Sequence, residues 1–137
     1  MNHTLKLTVG HQGLYDITHK VVECVRSSGI VEGLVTLFVR HTSASLLIQE
    51  NADPAVQRDL ENWLNRLVPE EDALYTHTAE GPDDMPAHIK STLTTTSLSI
   101  PVQNGTMVLG VWQGIYLWEH RHRRDAREVV VNVLGSR

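Results

Sequence analysis

NGTMVLGVWQGIYLWE, residues 104–119, is the stretch that decides the fold. An Asn-Gly pair between apolar runs is the strongest short-range hairpin signal, because both residues tolerate the positive φ of a two-residue turn. Ser97–Val102 before it reads as a strand, and Thr106–Trp118 after it as one long strand, apolar on both faces. In that strand Gln113, Ile115, Leu117 and Glu119 share one face, and Trp112, Gly114, Tyr116 and Trp118 the other. Neither face suits full exposure to water. A helix or another subunit must therefore cover one of them.

Toward the end of the chain, Val129–Leu134 reads as a closing strand. Toward the beginning, Thr4–Val9 alternates with Leu5, Leu7 and Val9 on one face, and Leu14–Ile17 follows Gly13. A helix is expected from Thr18 to Ser28, with Ile17, Val21, Val22 and Val25 as its apolar stripe and Gly29 as its stop. Gly33–Arg40 and Ser45–Gln49 read as strands. Asp53 is a natural N-cap and Pro54 a first helical residue, so a second helix runs to about Leu67. Its expected buried stripe is Val56, Leu60, Trp63, Leu64 and Leu67. Residues 70–84 are acidic and loop-like, broken at Gly81-Pro82, and a short helix follows Asp84 with Pro86 early in it. The pattern specifies one α+β domain over residues 1–137, a largely antiparallel sheet or sandwich carrying two main helices.

Composition narrows the function. Hydrophobic residues make up 41% and charged residues 20% of 137, as in ordinary globular domains. The net charge of −4 argues against a nucleic-acid binder. No run approaches the roughly 20 apolar residues of a membrane span. The N-terminus alternates instead of carrying an apolar signal core, so the expected location is cytoplasmic. A lone cysteine, Cys24, sits in an apolar helical stretch and reads as a small core residue. Ten of the sixteen acidic residues fall between Glu50 and Asp84, whereas Arg121, Arg123, Arg124 and Arg127 crowd one basic run. That run is either a solvated turn or a phosphate-facing patch.

Three short segments hold the polar chemistry. His77-x-x-Glu80-x-x-x-Asp84-x-x-x-His88-x-Lys90 combines imidazole with carboxylate, the ligand set for a divalent metal such as Mg or Zn and also for acid–base work. Asp84 and His88 lie one helical turn apart, while Lys90 is rotated well away from His88. Arg40-His41-Thr42-Ser43-Ala44-Ser45 sets an imidazole beside hydroxyls at a strand end, suited to a phosphate or to a hydrogen-bonded turn. Trp112–His120 supplies either a packed aromatic layer or a wall for a flat ring, and it ends in Glu119. A carboxylate closing an apolar strand needs a partner: Arg121, Arg127, a histidine or a bound cation. His41, His77, Asp84, His88 and Glu119 are expected to converge in one pocket, with Lys90 near its edge.

Together, HTSASLLIQENADPAVQRDL, EGPDDMPAHIKSTL and LGVWQGIYLWEHR closely resemble the YjbQ-type proteins, often called secondary thiamine-phosphate synthases. The resemblance spans essentially the whole chain. It implies an α+β fold assembled as a homotrimer, with pockets near subunit boundaries, and a weak ability to join a pyrimidine diphosphate to a thiazole phosphate. On that reading His41, His88, Lys90 and Glu119 are the catalytic candidates. Thr42, Ser43, Asn51, Trp112, Gln113 and Arg121 are the substrate-binding candidates, and His77, Asp84 and His88 the metal ligands. Two alternatives share the same pocket: a trimeric binding module for a phosphorylated metabolite, and a metal-dependent hydrolase. The chain departs from the usual pattern at Thr95, Val111 and Ala52, and in the bulkier, more basic turn His122-Arg123-Arg124-Asp125.

Overall fold

The Asn104-Gly105 turn forms as expected. In the computed structural model, which describes residues 1–137, both residues have positive φ, 53° and 78°. The turn joins β5 (Ser97–Gln103) to β6 (Thr106–Met107) with Gln103 opposite Thr106. The long strand expected after it does not form. The Gly110 amide donates to the Gln113 side-chain carbonyl at 2.7 Å, and the Gln113 amide donates back to the Gly110 carbonyl at 3.0 Å. This closed turn ends β6 after two residues and starts a new strand, β7 (Gln113–Glu119), in a different sheet. Glycine and a side-chain acceptor three residues on outweigh the continuous apolar run.

Two antiparallel sheets result. The larger has the order β1-β8-β3-β5-β6, with β1 spanning Asn2–Val9, β3 Glu32–Val39 and β8 Asp125–Ser136. The smaller is β2-β7-β4, with β2 at Gly13–Asp16 and β4 at Ala44–Glu50. Alternation puts Leu7, Val9, Val35, Leu37, Val129 and Val131 of the first sheet into one core with Ala44, Leu46, Ile115 and Leu117 of the second. Helix α1 (Thr18–Ser28) closes that core with Val21, Cys24 and Val25, and Gly29 ends it in the left-handed conformation.

The other face of β7 is covered by helix α2 (Pro54–Leu67), where Trp118 packs with Leu64 and Val68. Of the two coverings open to the doubly apolar strand, the helix is the one realised. Asp53 caps α2 by accepting from the Ala55 amide at 2.9 Å. Its buried stripe is narrower than expected: Trp63 and Leu67 remain 49% and 53% exposed. Only the edge carrying Leu64 reaches the sheet. A third helix, α3 (Asp84–Leu93), starts at Asp84 itself.

The basic run divides. Strand β8 begins at Asp125, four residues before the expected Val129, and alternation turns Arg127 inward beside Val129. Arg121 and Arg127 are buried, while Arg123 and Arg124 stay exposed. No helix is long and apolar enough to cross a membrane.

Candidate functional site

Helix α3 builds the centre of the site. Asp84, its first residue, and His88, one turn later, lie on one face. His77, on the preceding loop, approaches the same carboxylate: its Nε2 lies 2.6 Å from Asp84 Oδ2, and His88 Nε2 lies 3.1 Å from that oxygen. Ligand atoms of His77, Asp84 and His88 all fall within 4.8 Å of one another, close enough to hold one metal ion. His88 Nδ1 is 3.0 Å from the Thr42 carbonyl, a bond that only an Nδ1–H makes. With the proton on Nδ1 alone, the ring would aim a bare Nε2 lone pair at a carboxylate oxygen. A proton or a cation between them relieves that contact.

Behind this centre stand two buried arginines, each paired with carboxylate. Arg121 reaches Asp84 Oδ1 at 3.3 Å, Asp83 Oδ1 at 3.1 Å, and donates to the Glu80 carbonyl at 2.6 Å. Burial alone pushes the Asp84 carboxyl up; hydrogen bonding to His77 and the Arg121 charge outweigh it and hold the group below its ordinary value. Arg127 donates to both oxygens of Glu119, at 2.5 and 2.6 Å, and to Ser43 Oγ at 2.9 Å. Glu119 is fully buried and also accepts from the Arg121 amide at 3.0 Å. It anchors the wall of the site from inside and does not face the cavity. Its partner among the four candidates is Arg127.

His41 Nε2 accepts from the Glu128 amide at 2.8 Å, and its Nδ1 lies beside the Arg127 guanidinium. Burial and then the Arg127 charge lower its pKa, so it is neutral at physiological pH. These groups surround an open cavity of about 330 Å³ lined by eleven residues, none of them apolar. His41, Thr42, Ser43, Asp84, His88 and Arg121 all line it; His77 joins through Asp84.

The remaining candidates lie elsewhere. Lys90 points to the opposite side of α3, buried under α2, where its ammonium donates to Asn65 Oδ1 at 2.5 Å. It belongs to a second polar cluster, in which Trp118 donates to Glu61 at 2.6 Å and Ser45 Oγ sits 2.9 Å from His120 Nε2. Asn51, Trp112 and Gln113 come together with one another: the Asn51 amide donates to the Trp112 carbonyl at 3.0 Å. They sit at the far end of β7, however. Gln113 pairs with Glu50 while Glu119 pairs with Ala44, six steps or about 20 Å away. Trp112 is 61% exposed and forms no wall of the cavity. Asp83 was not among the site candidates, and Arg123 and Asp125 were named only as parts of the basic run and turn; the doubled acid Asp83-Asp84 facing that run was the available signal.

The fold and site define a two-sheet α+β domain with a wholly polar cavity over a His-Asp-His cluster. The family model described as "UPF0047 protein YjbQ-like" matches residues 3–136, and the chain belongs to that family. It is 53% identical to the UPF0047 protein sll1880 of Synechocystis over 98% of this chain and 92% of that one. It is 41% identical to the UPF0047 protein YjbQ of Escherichia coli O157:H7, covering 97% and 96% of the two chains. A crystal structure of an uncharacterized YjbQ/UPF0047 protein from Clostridium acetobutylicum superposes with a TM-score of 0.86 at 36% identity, over 98% and 99% of the chains. A YbjQ-like protein of unknown function from Sulfolobus solfataricus gives 0.87 at 26% identity, over 99% of each.

Proposed function

We propose that this chain cleaves a bond to the phosphate of a small phosphorylated metabolite, with a divalent cation held by His77, Asp84 and His88. The supporting observation is one carboxylate oxygen shared by two imidazole nitrogens beside an arginine-rimmed cavity. Two imidazoles and a carboxylate suit a borderline ion such as zinc, whereas magnesium prefers oxygen ligands. Such an ion, when bound, neutralises charge developing on a phosphate. Charge balance points the same way. Arg40, Arg121, Arg123 and Arg127 meet five carboxylates in or behind the wall: Glu80, Asp83, Asp84, Glu119 and Asp125. An anion gains little from that balance until a cation tips it.

Two acceptors fit this chemistry. With a thiazole phosphate, its ring nitrogen displaces diphosphate from the pyrimidine methylene, the thiamine-phosphate synthesis that the resemblance implies; with water, a phosphate monoester gives an alcohol and inorganic phosphate. The wholly polar lining favours water, because a pyrimidine is held best against an apolar or aromatic wall. Assembly as a homotrimer is part of the same proposal. Leu34, Phe38 and Leu134 leave an apolar patch on the outer face of the larger sheet, as a subunit contact requires. Sedimentation at three times 15.4 kDa is the expected result.

The test begins with protein stripped by chelator and reloaded with zinc. Calorimetry should show inorganic phosphate binding to the loaded protein and far less to the stripped one. Hydrolysis of a phosphate monoester and formation of thiamine phosphate are then assayed with and without chelator. Equal phosphate binding in both states, or zinc bound equally well by Asp84→Asn and His88→Ala, ends this reading.

A further inference from the structure

We propose that the part of the ligand beyond its phosphate is hydroxylated and non-aromatic, a sugar or polyol, held through Glu80 and Asp125. The inference rests on the phosphate reading above and narrows it. The cavity mixes guanidinium donors with carboxylate acceptors, and no apolar residue lines it. Carboxylates repel phosphate, so a site for phosphate alone has no use for those that are free. They accept hydrogen bonds from hydroxyl groups well. Asp84 is committed to His77, His88 and Arg121. Glu80 is exposed, and its carboxylate makes no hydrogen bond within the chain. Asp125 uses Oδ1 for the Ala126 amide, while its Oδ2 lies 3.8 Å from both Arg123 and Arg127, beyond hydrogen-bond reach. Both therefore have acceptor capacity to spare at the cavity.

No Trp, Tyr or Phe side chain lines the cavity. Trp118 is buried beneath α2, Trp63 is on the outer side of that helix, and Trp112 lies at the far end of β7. A flat heteroaromatic ring entering the cavity would meet no Trp, Tyr or Phe wall, only imidazole and guanidinium planes, of which those of His41, His88, Arg121 and Arg127 are held by bonds within the chain. A cavity of about 330 Å³ is at the small end of ligand sites, which suits a phosphorylated sugar better than a nucleotide.

The experiment titrates three probes into zinc-loaded protein by calorimetry: inorganic phosphate, ribose 5-phosphate and uridine 5′-monophosphate. Ribose 5-phosphate should bind about tenfold tighter than phosphate, and the nucleotide no tighter than ribose 5-phosphate. Glu80→Gln should weaken ribose 5-phosphate while leaving inorganic phosphate unchanged or tighter, since it removes a hydroxyl acceptor and a repelling charge together. A nucleotide about tenfold tighter than ribose 5-phosphate overturns the inference by revealing a ring-binding wall. Ribose 5-phosphate no tighter than phosphate overturns it as well. Those two results leave the phosphate site standing; failure of inorganic phosphate itself to bind removes both.

Discussion

Arg127→Met measures what the buried pair with Glu119 contributes. Glu119 is 0% exposed and accepts two charge-assisted bonds from Arg127, at 2.5 and 2.6 Å. Removing the guanidinium leaves that carboxylate with the Arg121 amide as its remaining donor. Breaking one side of a buried pair costs about 3–5 kcal/mol. An unfolding entropy of about 2.1 cal/mol/K per residue makes 1 kcal/mol worth about 3.5 °C in a chain this long, so the melting temperature should fall by about 10–17 °C. Urea unfolding followed by circular dichroism gives the same quantity independently. The double variant Glu119→Leu/Arg127→Met removes both charges and should recover most of the loss, with a coupling of about 2 kcal/mol or more. A single-variant loss below about 1 kcal/mol, or a double variant no more stable than the single one, refutes the structural role given to Glu119.

Other consequences are equally measurable. Lys90→Met should leave zinc affinity unchanged, because the amine lies across α3 from the proposed ligands, whereas His88→Ala should abolish it; calorimetry separates the two. Zinc at a hundredfold excess over its dissociation constant should stabilise the protein by about 2.7 kcal/mol, and the shift should vanish in Asp84→Asn. Burial, with the charges of Lys90 and Arg127, lowers His120 from 6.5 to about 3. Its contribution is intact above pH 6.5 and lost at up to about 1.4 kcal/mol per unit as pH falls toward 3, because the unfolded chain takes up a proton that the folded one refuses. His120→Gln should flatten that part of the stability curve measured by urea unfolding. Gly33→Ala should destabilise by about 3 kcal/mol or more, since a Cβ there meets the Leu134 carbonyl at 2.0 Å; melting no lower than wild type would contradict the Gly33–Gly135 register.

Much of the fold was legible where a local rule acts alone. The Asn104-Gly105 turn, the Asp53-Pro54 helix start and the Gly29 stop each follow from the conformational preferences of one or two residues. The sheet exchange at Gly110–Gln113 was not legible, because a side-chain cap three residues on competes with a continuous apolar pattern and only the folded chain shows which prevails. In the site, Asp84 and His88 were readable from helical spacing, and His77 from composition. Trp112, Gln113 and Asn51 were misleading neighbours of Glu119 and Ser43. Proximity along a strand is separation in space, so one motif supplies both ends of β7 and only one end reaches the cavity.

Helix α3 is pinned from two sides at once. On one side Asp84 and His88 meet His77 and the Thr42 carbonyl; on the other Lys90 is buried against Asn65 of α2. A slide of one residue along its axis, or a roll by one position, would break both sets together. The helix therefore has a single permitted register, like a key held by wards on both edges. Loosening α2 by cutting the Asn65 contact is then a way to disturb the imidazole cluster without touching any residue in the cavity.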